Sequence, residues 1–137
     1  MKLSTVYIIT DDIEKSVDFY RKLLQEEPLY ANGNRWVQFS NYIALYNYHY
    51  DENILNNSEI FNQAYIDNFD QAKANPRNNI VVLNFEVDDL KKEYQRLKNL
   101  NIGKVSELMF VNVYMPYWYF DITDPDGNIL EITGRYE

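Results

Sequence analysis

Apolar and polar positions along this chain follow two periods, and those periods appear in the same order twice. Thr5-Val6-Tyr7-Ile8-Ile9 is a β-branched and aromatic run of strand length. Asp11-Asp12-Ile13-Glu14 follows, with Asp11 placed to cap a helix and Glu14 three residues further on, as in a capping box. Ile13, Val17, Tyr20 and Leu24 then recur at helical spacing, while Glu14, Lys15, Asp18 and Arg21 fall on the other side. The helical pattern ends before Pro28. Turn chemistry at Asn32-Gly33-Asn34 separates Leu29-Tyr30 from the run Arg35 to Phe39, and Asn41 separates that run from Tyr42 to Tyr46. The spacing predicts strand, helix and three strands over residues 1–46.

The same order returns from residue 80 to the end. Ile80 to Val87 is a strand pattern, Asp88-Asp89 opens a helix, and Leu90, Tyr94, Leu97 and Leu100 form its apolar stripe, with Gly103 as the expected stop. Strands are predicted around Glu107 to Tyr114, Tyr117 to Thr123 and Asn128 to Thr133. Asp124-Pro125-Asp126-Gly127-Asn128 turns the chain between the last two, with Pro125 presetting φ and Gly127 accepting a positive one. Laying Asp12 on Asp89, an offset of 77 residues, matches Val17 to Tyr94, Tyr20 to Leu97 and Leu23 to Leu100. Apolar positions meet apolar ones through both helices, so this is an internal repeat. Neither half is expected to be stable alone, because each sheet needs its helix and the partner half to close a core.

Between the halves, residues 47–79 break the pattern. They are rich in Asn, and Phe61, Tyr65 and Phe69 recur at a spacing of four along a helix predicted to begin near Ser58. A bare loop of this length is uncommon in a compact domain, so the segment is expected to carry structure and pack as an arm or lid. The expected organisation is one α+β domain with module one at about 1–46, the arm at about 47–79 and module two at about 80–137.

Composition narrows the function classes. A 46% hydrophobic and 25% charged chain of 137 residues is an ordinary soluble globular sequence. A net charge of −8, with no cluster of Lys or Arg, argues against a nucleic-acid partner. The absence of cysteine removes disulfides, thiolate metal sites and a cysteine nucleophile. The apolar run at the N-terminus is too short for a signal peptide, and no stretch of about 18 apolar residues occurs, so a cytoplasmic location with no membrane partner is expected. Thirteen tyrosines are an excess that suits a half-wet cavity, because tyrosine joins an apolar face to a hydroxyl. With a single histidine, His49, serine–histidine catalysis would rest on that residue alone.

The two β-α-β-β-β units, the helix opening Asp11-Asp12-Ile13-Glu14-Lys15-Ser16-Val17-Asp18-Phe19-Tyr20 and the closing Asp124-Pro125-Asp126-Gly127-Asn128-Ile129-Leu130-Glu131 together resemble the glyoxalase/bleomycin-resistance family of the vicinal oxygen chelate superfamily. The resemblance implies two βαβββ modules forming a curved mixed sheet cup, with the helical arm inserted between them. In metal-dependent members it implies a divalent ion held by a His, Gln or Glu on the first strand of each unit and by carboxylates or His on the last strands. The first-strand positions land on Thr5 and Val82. Glu131 matches a last-strand ligand, and Tyr42 to Tyr46 offer neither carboxylate nor imidazole. A protein-held cation needs several converging oxygen or nitrogen donors, so the inherited metal site is expected to be lost, with no cofactor in its place.

What remains resembles the family's drug-binding branch, which binds cationic antibiotics without a metal. A cup lined by Tyr7, Trp36, Phe39, Tyr46, Asn84, Tyr114, Trp118 and Glu131 would suit a planar or cationic small molecule, with aromatic faces for stacking and a carboxylate as counter-charge. The resemblance also implies a homodimer and antibiotic resistance. The expectation leans away from an enzyme. A metal-dependent lyase, isomerase or dioxygenase is the first alternative, and a non-catalytic sensor or interaction module the second.

Overall fold

The computed structural model describes residues 1, 3–40, 42–74, 81–112 and 115–137. Contacts divide the chain into two compact units, Met1–Pro76 and Arg77–Glu137. The first contains β1 (Val6–Thr10), α1 (Ile13–Leu24), β2 (Tyr30–Asn32), β3 (Trp36–Gln38), β4 (Ile43–Asn47), α2 (Tyr48–Asn53) and α3 (Gln63–Ala74). The second contains β5 (Leu83–Val87), α4 (Leu90–Leu100), β6 (Met109–Asn112), β7 (Pro116–Thr123) and β8 (Ile129–Gly134). The strand orders are β1-β4-β3-β2 and β5-β8-β7-β6, each with one parallel pair followed by antiparallel ones. This mixed α+β architecture, twice over, is the one the repeat predicts. Residues 6–10 of β1 and 83–87 of β5 keep the offset of 77 through the whole strand.

The caps explain where the helices begin and end. Asp12, not Asp11, is the N-cap of α1, and its carboxylate accepts from the backbone N–H of Lys15 at 3.1 Å. Asp89 does the same for α4 from Lys92 at 2.9 Å. Asp11 instead accepts a hydrogen bond from the Tyr48 hydroxyl at 2.7 Å. The capping box fails because the third residue after Asp12 is Lys15. Both helices end on a left-handed residue, Gln25 (φ 55°) and Asn101 (φ 50°). The stop predicted at Gly103 therefore comes two residues earlier, at an asparagine that tolerates this conformation.

The buried stripe of α1 consists of Ile13, Ser16, Phe19, Tyr20 and Leu23, with Val17 and Leu24 only partly covered. Ser16 belongs there because its hydroxyl pairs with that of fully buried Thr10 at 2.6 Å, an apolar-looking position filled by a satisfied polar pair. Leu90, Tyr94 and Leu97 are buried on α4, whereas Leu100 is exposed. α1 packs on β4, and α4 packs on β7 and β8. Strand alternation then sorts the sheets. Thr10 and Val37 mark the helix face of the first, since Thr10 meets Ser16 and Val37 shares a groove with Ile13 and Val17. Phe120, whose ring meets Tyr94 edge-on at 5.0 Å, marks the helix face of the second, with Ile122, Leu130 and Ile132 buried beside it. The opposite faces carry the candidate chemistry.

The arm predicted for residues 47–79 contains two helices. α2 was hidden by its polar sequence and begins directly after β4, capped by the Asn47 side chain accepting from the His49 backbone N–H. α3 starts at Gln63 rather than near Ser58, and the stripe is real: Phe61 stacks on Tyr65 at 4.7 Å, and Tyr65 meets Phe69 at 6.2 Å. Among the described residues, no helix is long and apolar enough to cross a membrane.

Candidate functional site

On the far side of the second sheet, β5, β8 and β7 bring Asn84, Glu131 and Asp121 into one cross-strand row. The Asn84 Nδ2 donates to Glu131 Oε1 at 2.6 Å, and the Tyr117 hydroxyl donates to the same oxygen at 2.6 Å. Asn84 Nδ2 also reaches the Tyr117 oxygen at 3.0 Å. Glu131 is thus oriented by an amide and a phenol. Asp121, beside it, has no hydrogen-bond partner for its carboxyl among the described residues. Burial, and then the neighbouring Glu131 charge, push the Asp121 carboxyl above its ordinary range. The Tyr117 and Tyr119 rings lie 5.6 Å apart on this same face. A groove of about 580 Å³ runs along the end of the sheet, lined among others by Asn84, Glu86, Tyr117 and Thr133.

The first sheet's far side is aromatic. Tyr7 meets Trp36 at 5.3 Å and meets Tyr46 edge-on at 6.2 Å, and Tyr7 is 54% exposed. The residue paired with Tyr7 on β4 is Ala44, standing where Glu131 stands opposite Asn84 in the second sheet. The Arg35 guanidinium lies 5.2 Å over the Tyr46 ring. It also grips Asp51 of α2 in a fork, Nε to Oδ1 at 2.7 Å and Nη2 to Oδ2 at 2.9 Å. Tyr46 and Tyr65 each donate their hydroxyl to Asp51 Oδ2 at 2.6 Å. Asp51 is 0% exposed. Burial alone would raise its carboxyl, but hydrogen bonds from Arg35, Tyr46 and Tyr65 and the Arg35 charge outweigh it and hold the carboxyl below its usual range. Tyr46 is pushed up, first by burial and then by its bond to Asp51, and Tyr65 is raised for the same reasons.

The predicted lining residues separate accordingly. Tyr7, Trp36 and Tyr46 come together on one face, and Asn84 and Glu131 on another. Phe39 is 0% exposed, one residue past β3 with the parity of Val37, and so belongs to the core. Trp118 has the parity of Phe120, opposite to Glu131, and its ring stacks on Tyr136 at 4.3 Å, but both rings line the groove that Asn84 and Tyr117 also line. Tyr114 lies outside the described residues, as does the turn residue Asn41. His49 sits in α2, with its ring tilted against that of Tyr48 at 4.2 Å and its nitrogens 3.3 Å from Glu52 and 3.9 Å from Asp11.

Sequence reasoning missed Tyr117, Asp121, Asp51 and Arg35. Parity on β7 contained the first two, because Tyr117, Tyr119 and Asp121 alternate outward while Trp118, Phe120 and Ile122 alternate inward. Nothing local signals Asp51, which reads as one more acidic residue in a polar stretch.

These donors do not fit a divalent ion. Thr5 and Val82 both precede their strands, and Val82 is hydrocarbon. β4 supplies no carboxylate or imidazole, and Glu131 Oε1 already accepts two hydrogen bonds. Among the described residues, no group of three His, Cys, Asp or Glu side chains could hold a metal.

A family model described as a glyoxalase-like domain matches residues 3–137. Among solved structures, the chain is similar to a protein of unknown function from Agrobacterium tumefaciens str. C58, at 21% identity and a TM-score of 0.67, covering 98% of this chain and 94% of that one. It is similar to a glyoxalase/bleomycin resistance protein/dioxygenase family enzyme from Burkholderia phytofirmans PsJN, at 18% identity and a TM-score of 0.63 over 96% of each chain. A lactoylglutathione lyase from Agrobacterium tumefaciens matches at 18% identity and a TM-score of 0.62, covering 97% of this chain and 92% of that one. At these identities the likeness concerns the fold. No curated protein matches the chain.

Proposed function

The chain belongs to the glyoxalase-like domain family, and from that premise we propose that it is a metal-free small-molecule binding protein that sequesters a planar or cationic ligand. The observation that carries this reading is the state of Glu131. The one residue matching a family metal ligand is held by Asn84 and Tyr117, with a second carboxyl, Asp121, beside it and two tyrosine rings on the same face. Such a surface suits a positively charged flat molecule: the rings offer stacking and cation–π attraction of about 0.5–2 kcal/mol each, and the carboxylates offer the counter-charge. The first unit's triad of Tyr7, Trp36 and Tyr46 is a stacking surface of its own.

The test is a titration of the purified protein with proflavine, a planar cation, followed by quenching of tryptophan fluorescence. Saturable binding is expected, weakened about ten-fold by Glu131→Gln, the scale of one charge-assisted contact. Stoichiometric nickel, zinc, iron or manganese in the purified protein, lost together with a catalysed reaction on chelation, would sink the reading in favour of a metal enzyme.

A further inference from the structure

The cluster around Asp51 has a polarity that bears on what the first unit can recognise. A phenol has one proton to donate and lone pairs to accept with, whereas an ionised carboxylate only accepts. Tyr46 and Tyr65 both lie 2.6 Å from Asp51 Oδ2 and 3.1 Å from each other. A hydrogen bond to a charged acceptor is the stronger choice, so both protons point at Asp51 and neither serves the contact between the two hydroxyls. Asp51 takes its remaining bonds from Arg35, which also balances its charge. What the two phenols have left to offer is their lone pairs. Both residues are half-buried, and Tyr46 adjoins the exposed ring of Tyr7.

We propose that Tyr46 and Tyr65 form an acceptor-only pair that selects planar ligands carrying N–H donors on their rim, with Asp51 as the positioning residue that fixes this polarity. Tyr65 is then a ligand-contacting residue contributed by α3, which gives the arm a part in recognition. The Tyr46 ring stands edge-on to the exposed Tyr7 ring, 6.2 Å away, beside the face a flat ligand would stack on. Because the Arg35 charge is already matched by Asp51, donor pattern rather than charge is what this surface reads. The inference rests on the reading of the chain as a small-molecule binder and adds the donor requirement to it.

Two dyes separate these claims. Proflavine and acridine orange are both planar monocations, but the amino groups of proflavine carry N–H donors that methylation removes in acridine orange. Wild-type protein is expected to favour proflavine about ten-fold. Tyr65→Phe and Tyr46→Phe should each reduce that preference several-fold by weakening proflavine, whereas Glu131→Gln, in the other unit, should leave the preference itself intact. Asp51→Asn turns one acceptor into an amide donor, frees a phenol proton and should erase the preference. Infrared spectroscopy of the tyrosine C–O stretch gives a readout without any ligand: Tyr46 and Tyr65 should show the signature of hydrogen-bond donors in wild type, and one of them should lose it in Asp51→Asn. Equal affinity for the two dyes, a preference that survives both phenylalanine variants, or acceptor-type C–O stretches in wild type would overturn the inference and leave the binding function standing. If neither dye binds the wild-type protein, both fall together.

Discussion

Midway along the far side of the first sheet, Tyr7, Ala44 and Gln38 stand abreast across β1, β4 and β3. At the same place in the second sheet stand Asn84, Glu131 and Asp121, across β5, β8 and β7. The strand orders agree, both helices are capped by an aspartate, and the offset of 77 holds from the first strand into the helix. The repeat therefore keeps what packing demands and lets the far face diverge. A residue between sheet and helix must be apolar or internally satisfied to be buried at all. The other face is held to it less evenly: Ala44 and Gln38 are buried there, Gln38 with its amide bonded to the Phe39 and Ile43 carbonyls, while Tyr7 is exposed, and one copy has become aromatic while the other has become acidic.

The two units differ most at Asp51, which has no counterpart described in the second unit. Asp51→Ala leaves the Arg35 guanidinium and two phenols without their acceptor, and a loss of about 3–5 kcal/mol is expected, measured by urea denaturation. The native Asp51 carboxyl is held low, so its contribution is present above the unfolded-state value of about 3.9 and is lost as pH falls through the native one. Wild type and Asp51→Ala should converge in stability at strongly acidic pH, and a gap that stays constant from neutral to acid would contradict the assigned role.

A smaller effect tests the sameness of the two units. Asp12→Ala and Asp89→Ala each remove one N-cap and should each cost about 1 kcal/mol in the same denaturation experiment. Costs that differ by more than about 1 kcal/mol would show that the caps are not equivalent, given the usual spread of cap energies. The smallest effect sharpens the difference between the far faces. Asp121 is half-buried and repelled by Glu131, so its folded-state carboxyl is raised and stability is lost as pH rises through that value. Asp121→Asn should stabilise the protein by a few tenths of a kcal/mol at neutral pH, less near pH 3, while weakening proflavine binding. A variant less stable than wild type at neutral pH would mean the carboxylate has a role beyond repulsion.

Much of the fold was legible because its signals are local. Tyr and Ile runs of strand length, Asp12 and Asp89 before their helices, and the Asp124 turn each announce themselves. In that turn the Asp124 carboxylate collects the backbone N–H groups of Asp126 and Asn128, and Gly127 sits at φ 86°. The exact cap was harder, since two adjacent aspartates differ only in which one the chain geometry turns toward Lys15. The site was half legible. Parity placed Tyr7, Asn84 and Glu131, but the partners of Glu131 depend on register: Tyr117 reaches it from 14 residues away. Phe39 was assigned by aromatic type and removed by strand parity, while Trp118, with the parity of Phe120, still lines the groove beside Asn84 and Tyr117. α2 was invisible because six polar and aromatic residues show no apolar period, and what holds it is distant in sequence: Asp51 with its three partners, and Tyr48 with Asp11 and Phe69.

The Asp51 cluster also bears on the order of folding. Its partners Arg35, Tyr46 and Tyr65 lie 16, 5 and 14 residues from it along the chain. The parallel pairing of β1 with β4 closes a longer loop, and that of β5 with β8 a longer one still, joining Asn84 to Glu131 across 47 residues. Contacts of short separation cost little loop entropy and form fast. During synthesis every group the cluster needs is made before the first residue of β5, so the arm's contacts with its own sheet become available ahead of the pairing of β5 with β8.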